Sequence, residues 1–209
     1  MKAFQLVSAL LLVLIGAEPA AADTQQLIAA LKQGGYVLVF RHGATDDSQK
    51  DVYPFRFDDM TAQRQLSEQG REMARQVGAA IKKLEIPIGE VYASQLNRAV
   101  ETGKLLSGKD VKPVSALTDS SAASAPSMTN PSGANAKAGL ALRHLLDTPP
   151  RAGANTFLVT HKTNIADAFG REASDVQEGE AFVYKSAESG PASFVARIKA
   201  SDWIAQAAK

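Results

Sequence analysis

Residues 36–40 (Tyr36, Val37, Leu38, Val39 and Phe40) are apolar without a break and follow the chain-breaking pair Gly34 and Gly35. Residues 156–160 hold a second apolar run, Phe157 to Val159, between two threonines. Short apolar runs with no alternation predict strands buried on both faces. Between them the period changes. Met73, Val77, Ile81 and Leu84 recur at helical spacing, with Ser67 as the expected N-cap and Pro87 as the stop. Residues 24–32 predict a short helix, 90–93 a short strand, and 95–107 a helix capped by Ser94 that offers Leu96, Ala99, Val100 and Leu106 to the core. A third strand is expected at 111–117, a helix at 134–147, and two closing strands at 181–185 and 193–198 around a turn at 189–191. Residues 44–65 are polar and irregular, and 118–133, rich in Ser, Ala, Pro and Asn, predict a surface loop. Strands alternating with helices give a three-layer α/β/α domain around a mostly parallel central sheet.

The N-terminus departs from this pattern. Lys2 precedes an apolar stretch over 3–16, and Ala20, Ala21 and Ala22 supply a small-x-small ending. This predicts a secretory signal over residues 1–22, cut after Ala22, with one domain over 23–209 and an exported, periplasmic or extracellular protein. The stretch is shorter than the roughly 20 residues of a spanning helix, so stable membrane insertion is not expected after cleavage. Composition narrows the functions. A formal net charge of +1 argues against a nucleic-acid partner, which needs concentrated basic surface. The absence of cysteine removes thiolate metal sites and cysteine nucleophiles.

The chemistry sits where the strands end. The 36–40 strand runs into Arg41 and His42, the 156–160 strand runs into His161, and Arg98 lies in the first turn of the helix after the 90–93 strand. Open α/β sheets bind ligands beyond the carboxyl ends of their strands, so all of these face one edge. Guanidinium groups and imidazoles converging there suit a tetrahedral dianion.

The segments that carry these residues resemble the histidine phosphatase superfamily, also called the phosphoglycerate mutase-like family. They are residues 40–43, 66–71, 94–102 and 158–161, in the family's order. The resemblance implies that His42 is a nucleophile that becomes phosphorylated, with Arg41, Arg98 and His161 holding the phosphoryl group, and a small phosphorylated substrate as partner. It implies hydrolysis of a phosphomonoester or related compound with no cofactor and no metal. The attacking ring nitrogen must be neutral, so its other nitrogen should donate to a backbone carbonyl; a protonated His161 would add positive charge.

Two departures from the family pattern stand out. Lys162 follows His161 where the family has Gly or Asp, which makes it a possible substrate-binding cation and not a proton donor. The family's acid has no clear counterpart, leaving Asp119, Glu178 and Glu180 as candidates. The alternative reading is a catalytically weak phosphate- or anion-binding protein on the same fold. His144 has no such context, the pairs Asp46–Asp47 and Asp58–Asp59 read as solvated turns, and residues 103–109 imitate phosphate-loop spacing from inside a helix.

Overall fold

A computed structural model describes residues 19–118, 134–170, 173–187 and 189–209. Six strands form one sheet in the order β3-β2-β4-β1-β5-β6: β1 (Tyr36–Arg41), β2 (Ile88–Ala93), β3 (Lys112–Pro113), β4 (Asn155–Thr160), β5 (Ala181–Lys185) and β6 (Ser193–Ile198). β3, β2, β4 and β1 pair in parallel, and β5 runs antiparallel between β1 and β6. The sheet is mostly parallel, as expected.

Alternate strand residues enter two cores. Leu38, Phe40, Phe157 and Val159 pack with α1 (Pro19–Leu31), α2 (Glu68–Lys83), α3 (Asn97–Ser107) and α6 (Ala200–Ala207). Val37, Val39 and Leu158 face the other way, toward α4 (Ala134–Leu146) and α5 (Lys162–Phe169). This double coverage is why Val37 to Phe40 and Phe157 to Val159 read as apolar with no alternation. The stripe expected on α2 is present: Val77 and Ile81 are buried, with Met73 and Leu84 packed against them. Ser67 caps that helix, its Oγ accepting the Gly70 N–H at 3.1 Å.

Two expectations are corrected, and two helices appear that the pattern does not predict. The strand expected at 111–117 shrinks to Lys112–Pro113 at the sheet edge, and Ser115–Leu117 turns into a 3-10 helix. α3 begins at Asn97 with Leu96 as its cap residue, and Ser94 is engaged elsewhere. The helices α5 and α6 were not anticipated from the hydrophobic pattern. The expected loop over 118–133 lies almost wholly outside the described residues, Asp119 with it. Among the described residues no helix is long and apolar enough to cross a membrane.

Candidate active site

Strand register assembles the site. Arg41 pairs with Thr160, so His42 and His161 are the next residues on two adjacent parallel strands, and the His42 N–H donates to Thr160 O at 3.0 Å. Ala93 pairs with Val159, which sets Ser94 against the same end, with its N–H on Val159 O at 2.9 Å. From the other side β5 runs antiparallel. The Arg41 N–H donates to Glu180 O at 3.0 Å and the Gly179 N–H to Arg41 O at 3.1 Å, so residues 178–180 pass beside Arg41. Residues distant in sequence thus meet because four strands stop at one edge.

The segment after β1 is clamped just as closely. The Gly43 N–H donates to Thr102 Oγ1 at 3.2 Å, while that hydroxyl donates to Arg98 O at 2.7 Å, locking the turn to α3. The Ser67 N–H donates to Ala44 O at 2.9 Å. A Cβ at position 70 would lie 2.1 Å from Ala44 O, so only glycine lets α2 start this close to the site. The polar segment 44–66 folds back on itself through a bridge between Thr45 and Leu66. Its buried Gln63 accepts the Asn97 N–H at 2.9 Å and so caps α3.

The result is a cavity of about 330 Å³ lined by Arg41, His42, Thr45, Asp47, Arg64, His161, Lys162, Thr163 and Glu178. His42 is buried, and its Nδ1 lies 2.7 Å from Gly43 O. A carbonyl can only accept, so the proton sits on Nδ1 and Nε2 keeps its lone pair, as nucleophilic attack requires. The His161 ring stands 5.0 Å from that of His42, centroid to centroid, nearly edge-on. Burial pushes the pKa of His42 well below the usual histidine range, helped by His161 and the charge of Arg98. Burial does the same to His161, with Arg98, Arg64 and Arg41 adding to it. Both histidines are therefore neutral at rest, which corrects the expectation of a protonated His161.

Positive charge comes instead from guanidinium groups. Arg41 donates to Val176 O at 2.8 Å and to Glu178 Oε1 at 2.9 Å. Arg98 is fully buried and does not line the cavity; its Nη1 donates to Asp51 Oδ1 at 2.9 Å, and it acts on the histidines through its field. Arg64, which no motif singles out, stands on the wall. The same Asp51 oxygen accepts the Arg64 N–H at 2.9 Å, so one carboxylate places both arginines. Lys162 and Thr163 open α5 on the wall, where the positive end of the helix dipole adds to the field. At the N-terminus of α3 the Asn97 N–H is taken by Gln63.

The three candidate acids separate. Glu178 lines the cavity. Glu180 does not: it is 1% exposed and accepts from Arg197 at 2.7 and 3.0 Å and from the Gln177 N–H at 2.8 Å. Asp119 lies outside the described residues. Of the residues set aside earlier, His144 is exposed on α4. Asp46 and Asp59 bind the hydroxyls of Ser48 and Thr61, closing turns. Residues 103–109 belong to α3 and its left-handed cap at Gly108.

Residues 37–124 match the model of the histidine phosphatase superfamily, branch 1. The fold is that of a histidine phosphatase. Solved structures of similar fold include a mycobacterial glucosyl-3-phosphoglycerate phosphatase with VO3, at 16% identity and TM-score 0.54, covering 78% of this chain and 98% of that one. The protein histidine phosphatase SixA with tungstate shares 16% identity at TM-score 0.53, covering 80% and 98%. Phosphoserine phosphatase from Entamoeba histolytica with 3-phosphoglyceric acid shares 16% identity at TM-score 0.51, covering 78% and 96%. No curated protein sequence is significantly similar to the chain. At these identities the shared property is the histidine phosphatase fold itself, and the chemistry must be argued from the cavity.

Proposed function

We propose that this chain is an exported, metal-independent phosphatase that hydrolyses a phosphomonoester or related phosphorylated compound through a phosphohistidine at His42. The observation that carries the reading is the Nδ1 contact of His42 with Gly43 O inside a cavity walled by Arg41 and Arg64. In the first step His42 Nε2 bonds to phosphorus while the bond from phosphorus to the leaving oxygen breaks. Arg41 and Arg64, with the field of Arg98, offset the charge on the equatorial oxygens, so catalysis is mainly positioning and electrostatics. An arriving phosphoryl group competes with Glu178 for Arg41. Glu178, released from Arg41, takes the acidic proton of the arriving phosphate monoanion and gives it to the leaving oxygen, then takes one from the water that attacks phosphorus as the phosphorus–nitrogen bond breaks. Inorganic phosphate leaves and His42 is restored. Lys162 adds a cation for a substrate with further negative charge.

Export rests on the sequence of the first 22 residues. Leu27, Ile28 and Leu31, which α1 buries in the core, lie beyond the expected cut after Ala22. Cell fractionation with N-terminal sequencing of the recovered protein tests this.

Hydrolysis of an aryl phosphate by the native protein and by His42→Ala tests the chemistry. The variant should lose on the order of 10⁴-fold, because only binding and electrostatics remain once a nucleophile is removed. Acid-labile radiolabel should be trapped on residue 42 during turnover. Equal rates in the two proteins, with phosphate binding retained, would leave an anion-binding protein on this fold. EDTA should not change the rate; loss reversed by a divalent ion would overturn the metal-free mechanism.

A further inference from the structure

His161 raises a problem that its position alone does not solve. It is neutral and 2% exposed, yet a neutral imidazole helps hold a phosphoryl group only if the right nitrogen carries the proton. Its Nε2 lies 2.8 Å from Ser94 Oγ, and its Nδ1 is buried with no hydrogen-bond partner. Ser94 is fully buried and its Oγ already accepts the Leu96 N–H at 3.2 Å.

Two proton arrangements are open, and they differ in cost. If Nε2 carried the proton, Ser94 Oγ would accept twice. Its own hydroxyl hydrogen would then be buried without an acceptor, and His161 Nδ1 would be a second unsatisfied atom. If the hydroxyl donates to Nε2, the proton goes to Nδ1 and a single buried donor remains unsatisfied. Stranding one buried polar group costs less than stranding two. The surviving group is an N–H on a residue of the cavity wall, the kind of group an anionic oxygen satisfies.

We propose that Ser94 is a positioning residue that fixes the Nδ1–H tautomer of His161, and that this N–H is a donor to the phosphoryl group. The second half rests on the phosphatase reading; the first does not. The two histidines would then share one tautomer for opposite purposes. His42 parks its proton on Gly43 O to keep Nε2 nucleophilic, whereas His161 parks its lone pair on Ser94 to keep Nδ1 a donor. The register of β2 makes this possible, because the Ala93–Val159 pairing sets Ser94 beside Thr160, one residue before His161.

Nitrogen-15 spectra of the resting mature protein near neutral pH report imidazole tautomers directly, with His161→Gln assigning the resonance. The native protein should show His161 protonated at Nδ1. Ser94→Ala should lose that preference and bind inorganic phosphate about tenfold to a hundredfold more weakly, as for one hydrogen bond to a charged group. Ser94→Thr, which keeps the hydroxyl, should restore the tautomer. A native His161 protonated at Nε2, or an unchanged tautomer in Ser94→Ala, overturns the assignment. An altered tautomer with unchanged phosphate affinity overturns the phosphoryl donor. If Ser94→Ala does not fold, the native and Ser94→Thr spectra decide. Because the spectra need no turnover, an inactive protein with the expected tautomer would count against the phosphatase reading and not against this one.

Discussion

Glu178 and Glu180 are two residues apart on the same approach to β5, and they live in different chemical worlds. Glu178 keeps 43% of its side chain exposed, lines the cavity and shares Arg41 with whatever anion enters. Glu180 is sealed under the sheet edge, its two oxygens matched by the two-pronged Arg197 guanidinium. A charge shared with solvent and ligand is available for chemistry. A buried charge fully matched by a partner has been spent on structure, since undoing the match strands the other ion. Sequence spacing cannot separate these roles, because the single residue Gly179 between them, with φ +70°, carries the chain from the cavity rim to the core.

The largest expected effect falls on the structural side of this pair. Glu180→Ala removes two of the acceptors of Arg197, which keeps Asp175 at 2.8 Å and the face of the Phe182 ring. Breaking a buried pair in this way should cost about 3 kcal/mol, at the lower end of the usual range because Arg197 is partly exposed. Urea denaturation measures it. Activity per folded molecule should stay near native, and a large loss of turnover at full folding would erase the distinction between the two glutamates.

Glu178→Gln should do the reverse. With an alkyl phosphate, whose leaving oxygen needs a proton, kcat should fall on the order of 10²-fold. With an aryl phosphate the loss should be several times smaller, and the urea midpoint should hardly move, since exposed ion pairs contribute little. Equal losses on both substrates would mean that Glu178 supports Arg41 and moves no proton.

These cases also show which features were legible before the fold was known. β1 and β4 could be read because Val37 to Phe40 and Phe157 to Val159 are apolar on both faces, a local property that both cores then use. Ser67 as a cap was legible for the same reason: a cap acts within one turn. α5 was not, because the side chains it buries include Asn164 and Asp167, which break any apolar stripe. α6 contributes only Trp203 and Ala207 to the interior, too few to set a period. β3 failed because it is a two-residue edge strand whose residues, Lys112 and Pro113, are both exposed. At the site, Arg41, His42 and His161 were legible as strand ends. Arg64 was not, because its place is fixed by Asp51 and by the fold-back of residues 44–66, contacts that leave no periodic trace.

The smallest effect separates the cavity from the buried Glu180–Arg197 pair by pH. His42 and His161 both have folded-state pKa values pushed well below the usual value, first by burial. In the unfolded chain they take up protons near pH 6.5. Between that value and the lower folded ones the unfolded state binds more protons, so stability rises with pH. The contribution is complete above about pH 6.5 and is lost as pH falls below it toward the folded pKa values. From pH 7 to pH 6 the two histidines together should remove about 1 kcal/mol, in a window above the ordinary carboxylate range. Urea unfolding at the two pH values should show this loss in the native protein and equally in Glu180→Ala, whose lesion lies elsewhere. His42→Ala should retain about half of it, from His161 alone. Stability that held constant or rose on acidification would mean that the cavity histidines bind protons as readily folded as unfolded, and the neutral pair on which the nucleophile depends would not exist.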